Sequence, residues 1–186
     1  MQKMNTQMTY TAFLDEQYLA NGLLVDIAIA IQQYANQSNS TVLIFNDQTG
    51  KQIDLDVSGS KQDVQQRYAE PEMVKKVGRP KLGVISREIT LQQKHWDWLD
   101  QQSSSASAVI RKLIDNELND PNSESNKMLA KQATDRFMSA MLGNMPNYEE
   151  ATRALYQGNK EVFLDLIRDY PKDIYQHILK LSAYAF

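Results

Sequence analysis

The chain has no cysteine among its 186 residues, which excludes a disulfide framework and any thiolate-bound metal and leaves the redox compartment unconstrained. Long apolar runs are missing too, since no stretch approaches the roughly eighteen consecutive apolar residues of a membrane span. The opening MQKMNTQMTY carries one lysine and no apolar segment, so a cytoplasmic rather than a secreted protein is expected. No G-x-x-x-x-G-K phosphate loop surrounds Gly78 or Gly83. No G-x-S-x-G or companion base accompanies Ser103, Ser104 and Ser105, so a loop and cap is the expectation there. The only histidines, His95 and His177, stand apart from each other and from any carboxylate at metal-ligand spacing. Structural or surface roles are expected for both. Neither metal nor cofactor is expected, and no enzyme: Glu149-Glu150 suit a helix start, and Asp54 and Asp56 the wet face of a strand.

What is present is a globular composition, 42% hydrophobic, with a formal net charge of -3. That average hides an asymmetry. Between Val74 and Lys94 the cations are Lys75, Lys76, Arg79, Lys81, Arg87 and Lys94, against Glu88 alone. Three compositional blocks appear, separated by polar joints. In residues 1–69, short strands around Asp15-Glu16 precede a helical stretch from Leu23 to Ala35. A β-branched run (Thr41 to Phe45), a turn at 46–50 and the alternation Ile53, Leu55, Val57 then complete a ββαββ order. Ser60 with Asp63 predicts a capped helix reaching Tyr68. Residues 70–82, with Pro71, Gly78 and Pro80, read as a basic linker or arm. Beyond the polar NDPNSES joint, residues 120–186 carry four helical patterns: 125–142, 148–157, 160–168 and 171–184. Asn147 with Glu150 predicts a capping box, Gly158 a stop, and Pro171 a first helical turn. Phe137, Met138, Met141, Phe163, Ile174 and Ile178 read as helical core, with Met138 and Met141 alternatively an adaptable partner surface.

The central block, residues 83–119, reads strand, helix, helix. Ile85, Ile89 and Leu91 fall on one face of the strand and Ser86, Glu88 and Thr90 on the other. Trp96 and Leu99 stripe the first helix; Ser105 caps a second with Val109, Ile110, Leu113, Ile114 and Leu118 at helical spacing. One strand leaves a row of backbone groups unpaired and two short helices cannot close a core, so this unit requires a second copy.

That order resembles the ribbon-helix-helix family of Arc/MetJ-type bacterial DNA-binding proteins, in which the strands of two chains pair into a ribbon placed in the major groove. The resemblance implies base contacts from Ser86, Glu88 and Thr90. It implies a dimer core of Ile89, Leu91, Trp96, Leu99, Ile110, Leu113 and Ile114, and a phosphate held at Ser105, Ala106 and Ser107. Lys75, Lys76, Lys81, Arg87 and Lys94 would contact the backbone. Gly78-Arg79-Pro80 resembles the core of an AT-hook, whose arginine enters a narrow minor groove. In this pattern Glu88 stands where a basic or neutral side chain is usual, and Arg87 falls on the inward face. Over nearly its whole length the chain also resembles a bacterial family of unknown function, through GRPKLGVISREITL, HWDWL, RFMSAM and EEATRALYQG; that resemblance implies no activity.

The expected protein is therefore α+β: a small ββαββ N-terminal domain, a central ribbon-helix-helix and a C-terminal helical bundle. It is read as a dimeric, sequence-specific regulator of transcription, a repressor, bound to double-stranded DNA. The alternative is a protein-interaction or antitoxin-like module that uses the central block mainly to dimerise and the C-terminal helices to meet a protein partner.

Overall fold

In the computed structural model residues 7–34, 41–69 and 83–186 are described, and they divide into two compact units, 1–69 with 120–186, and 70–119. The fold is α+β. Alternation along β1 (Tyr10–Leu14) organises the larger unit. β1 pairs antiparallel with β2 (Gln17–Gly22) on one side and β3 (Val42–Asn46) on the other, and β3 pairs with β4 (Gln52–Ile53), giving the order β2-β1-β3-β4. Asp15, in the turn after β1, takes a left-handed φ of 53°, a conformation Asp tolerates better than most residues. Ala12 and Ile44 point to one face, where they pack with Ile27 and Ile31 of α1 (Leu24–Gln32). Helix α2 (Lys61–Tyr68) also packs on α1, and it starts at the predicted capping box: Asp63 N donates to Ser60 Oγ (3.2 Å) while Ser60 N donates to Asp63 Oδ2 (2.8 Å).

Phe13 and Phe45, one residue out of phase, point to the opposite face. There they meet Phe137 of α5 (Glu124–Leu142), with ring centroids 5.5 and 4.8 Å away, and the core continues into α6 (Tyr148–Gln157), α7 (Lys160–Ile167) and α8 (Lys172–Leu181). Burial of each of these rings stabilises by roughly 1.5–3 kcal/mol, so the two sheet faces are covered by different parts of the chain. The first and last sequence blocks thus share one core. Gly50 makes the approach possible: its φ is +64° and a Cβ there would lie 1.9 Å from the Ala133 carbonyl oxygen of α5. Beside it Arg136 Nη1 donates to the Thr49 carbonyl at 2.9 Å.

Three local expectations are corrected. The alternation at 53–57 yields a two-residue strand, although Leu55 and Val57 still pack on the core while Asp54 and Asp56 face water. Asn147 precedes α6 in a left-handed conformation (φ 65°) and its side chain makes no capping bond. Pro171 stands one position before α8, as its N-cap. Gly158 ends α6 at φ 76°, as a left-handed C-cap does.

In the smaller unit, α3 (Gln93–Asp100) and α4 (Ala106–Asn119) pack on each other. The segment expected as a strand, 84–91, is neither helical nor part of the sheet and forms no strand. Among the described residues it has no ladder partner. Among the described residues no helix is long and apolar enough to cross a membrane.

Candidate nucleic-acid interface and a buried carboxylate cluster

Residues 83–90 are all exposed, so Ser86, Arg87, Glu88 and Thr90 lie open to solvent, and so does Ile89, while Leu91 is half-buried. At the start of α3, Gln92 N donates to His95 Nδ1 at 3.3 Å, which gives that histidine a structural role, and Lys94 beside it is exposed. Leu99 is buried and Trp96 half-buried, but α4 has no buried residue at all. Ile110 is half-buried; Leu113 and Ile114 are each 52% exposed, and Ile85 is 77% exposed. The Ser105 carbonyl accepts from Ala108 N (2.8 Å) and Val109 N (3.0 Å). The amides of Ala106 and Ser107 therefore precede the first intrahelical bond, the position at which a helix presents free N–H groups to an anion. Lys75, Lys76, Arg79 and Lys81 lie outside the described residues.

The larger unit brings together a polar cluster that residue spacing concealed. Asp47, in the β3–β4 turn, has a side chain only 5% exposed. Its Oδ2 accepts from Thr9 Oγ1 (2.7 Å), Asn21 Nδ2 (2.7 Å) and Lys180 Nζ (2.9 Å), and its Oδ1 from Thr11 Oγ1 (2.6 Å). Burial would raise the Asp47 carboxyl, but the hydrogen bonds from Thr11, Lys180 and Thr9 and the Lys180 charge outweigh it and hold it below the usual carboxylate range. His177 Nε2 lies 4.0 Å from Asp47 Oδ1 and has no hydrogen-bond partner among the described residues. Its ring is walled by Phe13 (5.4 Å) and Phe137 (4.5 Å). Burial lowers its pKa to about 4, Asp47 opposing and Lys180 adding to the shift. The sequence places Asp173 one helical turn before His177, whereas folding brings a different and distant carboxylate, Asp47, beside its Nε2. One signal was available: Thr11 shares the β1 face with Phe13, and a hydroxyl on a core-facing position needs a buried partner. Among the described residues no group of three metal-ligating side chains occurs.

An α+β architecture with an N-terminal sheet and a C-terminal helical bundle defines the class. The chain belongs to the bacterial family DUF2239, described as an uncharacterized protein conserved in bacteria, whose profile matches residues 9–182. No curated protein and no solved structure matches the chain.

Proposed function

We propose that the protein is a homodimeric DNA-binding regulator in which residues 83–119 of two chains form a ribbon-helix-helix. The observation that carries this reading is the uncovered apolar surface of that unit. Val84, Ile85 and Ile89 before α3, and Leu113, Ile114 and Leu118 along α4, are each more than half exposed. So much apolar area grouped in about forty residues favours association, and a segment without a ladder partner fits pairing with its twin. On pairing, Ile85, Ile89 and Leu91 turn inward and Ser86, Glu88 and Thr90 outward, toward base edges in the major groove. The start of α4 takes a phosphate, and Lys75, Lys76, Arg79 and Lys81, immediately ahead of the ribbon, supply charge to the backbone and the minor groove. The protein has no catalytic role in this reading.

Salt tests it. Affinity for promoter fragments of the encoding genome is expected to fall steeply between 50 and 200 mM salt, roughly in proportion to the phosphates neutralised. Arg79→Ala and Lys81→Ala each weaken binding and make the logarithmic slope shallower by about one. A dimer that retards no fragment, or retards it with flat salt dependence, contradicts DNA binding and favours the interaction module.

A further inference from the structure

Between β2 and α8 lies a cleft of about 240 Å³, and three of the donors on its wall are engaged with Asp47. The Thr11 hydroxyl and the Lys180 ammonium both donate to Asp47, as does the Asn21 amide nitrogen, which is also shared with the Tyr10 carbonyl and Thr11 Oγ1. Carboxylate and amide oxygens on the same wall are left without hydrogen bonds. Asp173 Oδ2 takes the Tyr18 backbone N–H at 2.8 Å, while its Oδ1, Asn21 Oδ1 and the Gln176 side-chain amide carry no hydrogen bond among the described residues.

The charges agree with this. Asp173 is the carboxylate that lines the cleft; Lys180, the lining cation, is paired with Asp47 behind the wall at 2.9 Å and His177 is neutral, so Asp173 has no ion-pair partner among the described residues. Tyr18 contributes a half-exposed ring, standing edge-on to Phe13 at 6.5 Å and thereby held in place. The floor holds an unsatisfied polar atom, His177 Nε2, on a side chain 5% exposed, an arrangement that costs stability and that packing alone does not call for.

We propose that this cleft binds a small organic ammonium ion, its N–H groups taken by Asp173 Oδ1 and Asn21 Oδ1 and its cationic face lying on the Tyr18 ring. A carboxylate beside an aromatic face is a pairing that selects cations, and a neutral donor gains only the hydrogen bonds. The volume is below the roughly 300–1,000 Å³ of drug-sized pockets, which suits an amine of a few carbons and excludes a nucleotide. The site lies in the larger unit and is independent of the DNA-binding reading.

Calorimetric titration of the full chain with ethanolamine and butane-1,4-diamine, and with tetramethylammonium as a cation without N–H groups that reports the aromatic face alone, paired with ¹⁵N-resolved shifts, tests the proposal. Saturable amine binding that moves Tyr18, Asn21 and Gln176 is expected. Asp173→Asn, which keeps an acceptor for Tyr18 N, binds about tenfold more weakly, and Tyr18→Leu loses tetramethylammonium by a similar factor. Asp169→Asn, at a surface carboxylate paired with Arg168, leaves binding unchanged. Absence of saturable amine binding overturns the proposal, as does wild-type affinity in Asp173→Asn. Butyrate or phosphate acting on the same residues in place of the amines overturns it equally.

Discussion

Asp47 and His177 show how an ordinary turn residue and a distant histidine become buried neighbours. In the unfolded chain His177 titrates near its ordinary 6.5, whereas in the folded protein burial puts it at about 4. Between those values the unfolded state binds more protons, so stability rises with pH and is lost as pH falls through that window. The unfolding free energy from urea titrations is expected to drop from pH 6.5 toward 5 with a slope of up to about 1.4 kcal/mol per pH unit. His177→Phe, which keeps a ring between Phe13 and Phe137, is expected to flatten it. An unchanged slope in that variant would place the acid sensitivity elsewhere. None of this was legible from spacing, because Asp47 and Lys180 are 133 positions apart and only the packing of α8 on the sheet joins them.

At the scale of elements, reading succeeded where local chemistry decides. Helix α2 starts at Ser60 because the hydroxyl and the Asp63 carboxylate satisfy each other's backbone amides, and α6 stops at Gly158 because that residue adopts positive φ without strain. It failed where tertiary contact decides. The alternation at 53–57 still sorts Leu55 and Val57 inward, yet the ladder ends at Ile53, and no pattern of period two reports where hydrogen bonding stops. Asn147 stands at the start of α6 as its spacing to Glu150 indicated, but in a left-handed conformation and without the side-chain capping bond. The contact between the 46–50 turn and α5 is the element-level feature most open to test. Gly50→Ala places a methyl against the Ala133 carbonyl and strains a positive φ; a loss of at least about 2 kcal/mol is expected, read as a lower denaturant midpoint with an unchanged slope. A neutral effect would mean that the turn does not rest on the helix.

For the whole molecule, the instructive difference concerns how the blocks group. Each block was recognisable by its own periodicity, but sequence contains no statement that Phe13 and Phe45 need Phe137 to cover them. The converse holds for residues 83–119, where the apolar pattern was plain and the single chain leaves it uncovered. One unit therefore completes its core within the chain, and the other is proposed to complete it across two chains.

The absence of cysteine makes that proposal directly measurable by oxidative cross-linking of single-cysteine variants. In an antiparallel ribbon centred on Glu88, facing Cβ atoms lie about 4.5–5.5 Å apart. Glu88→Cys is then expected to form a covalent dimer with itself, and Ser86→Cys to cross-link with Thr90→Cys while neither does so alone. Folded variants that stay monomeric in every combination, or that cross-link in a pattern without two-fold symmetry, would contradict the paired ribbon on which the DNA-binding account rests.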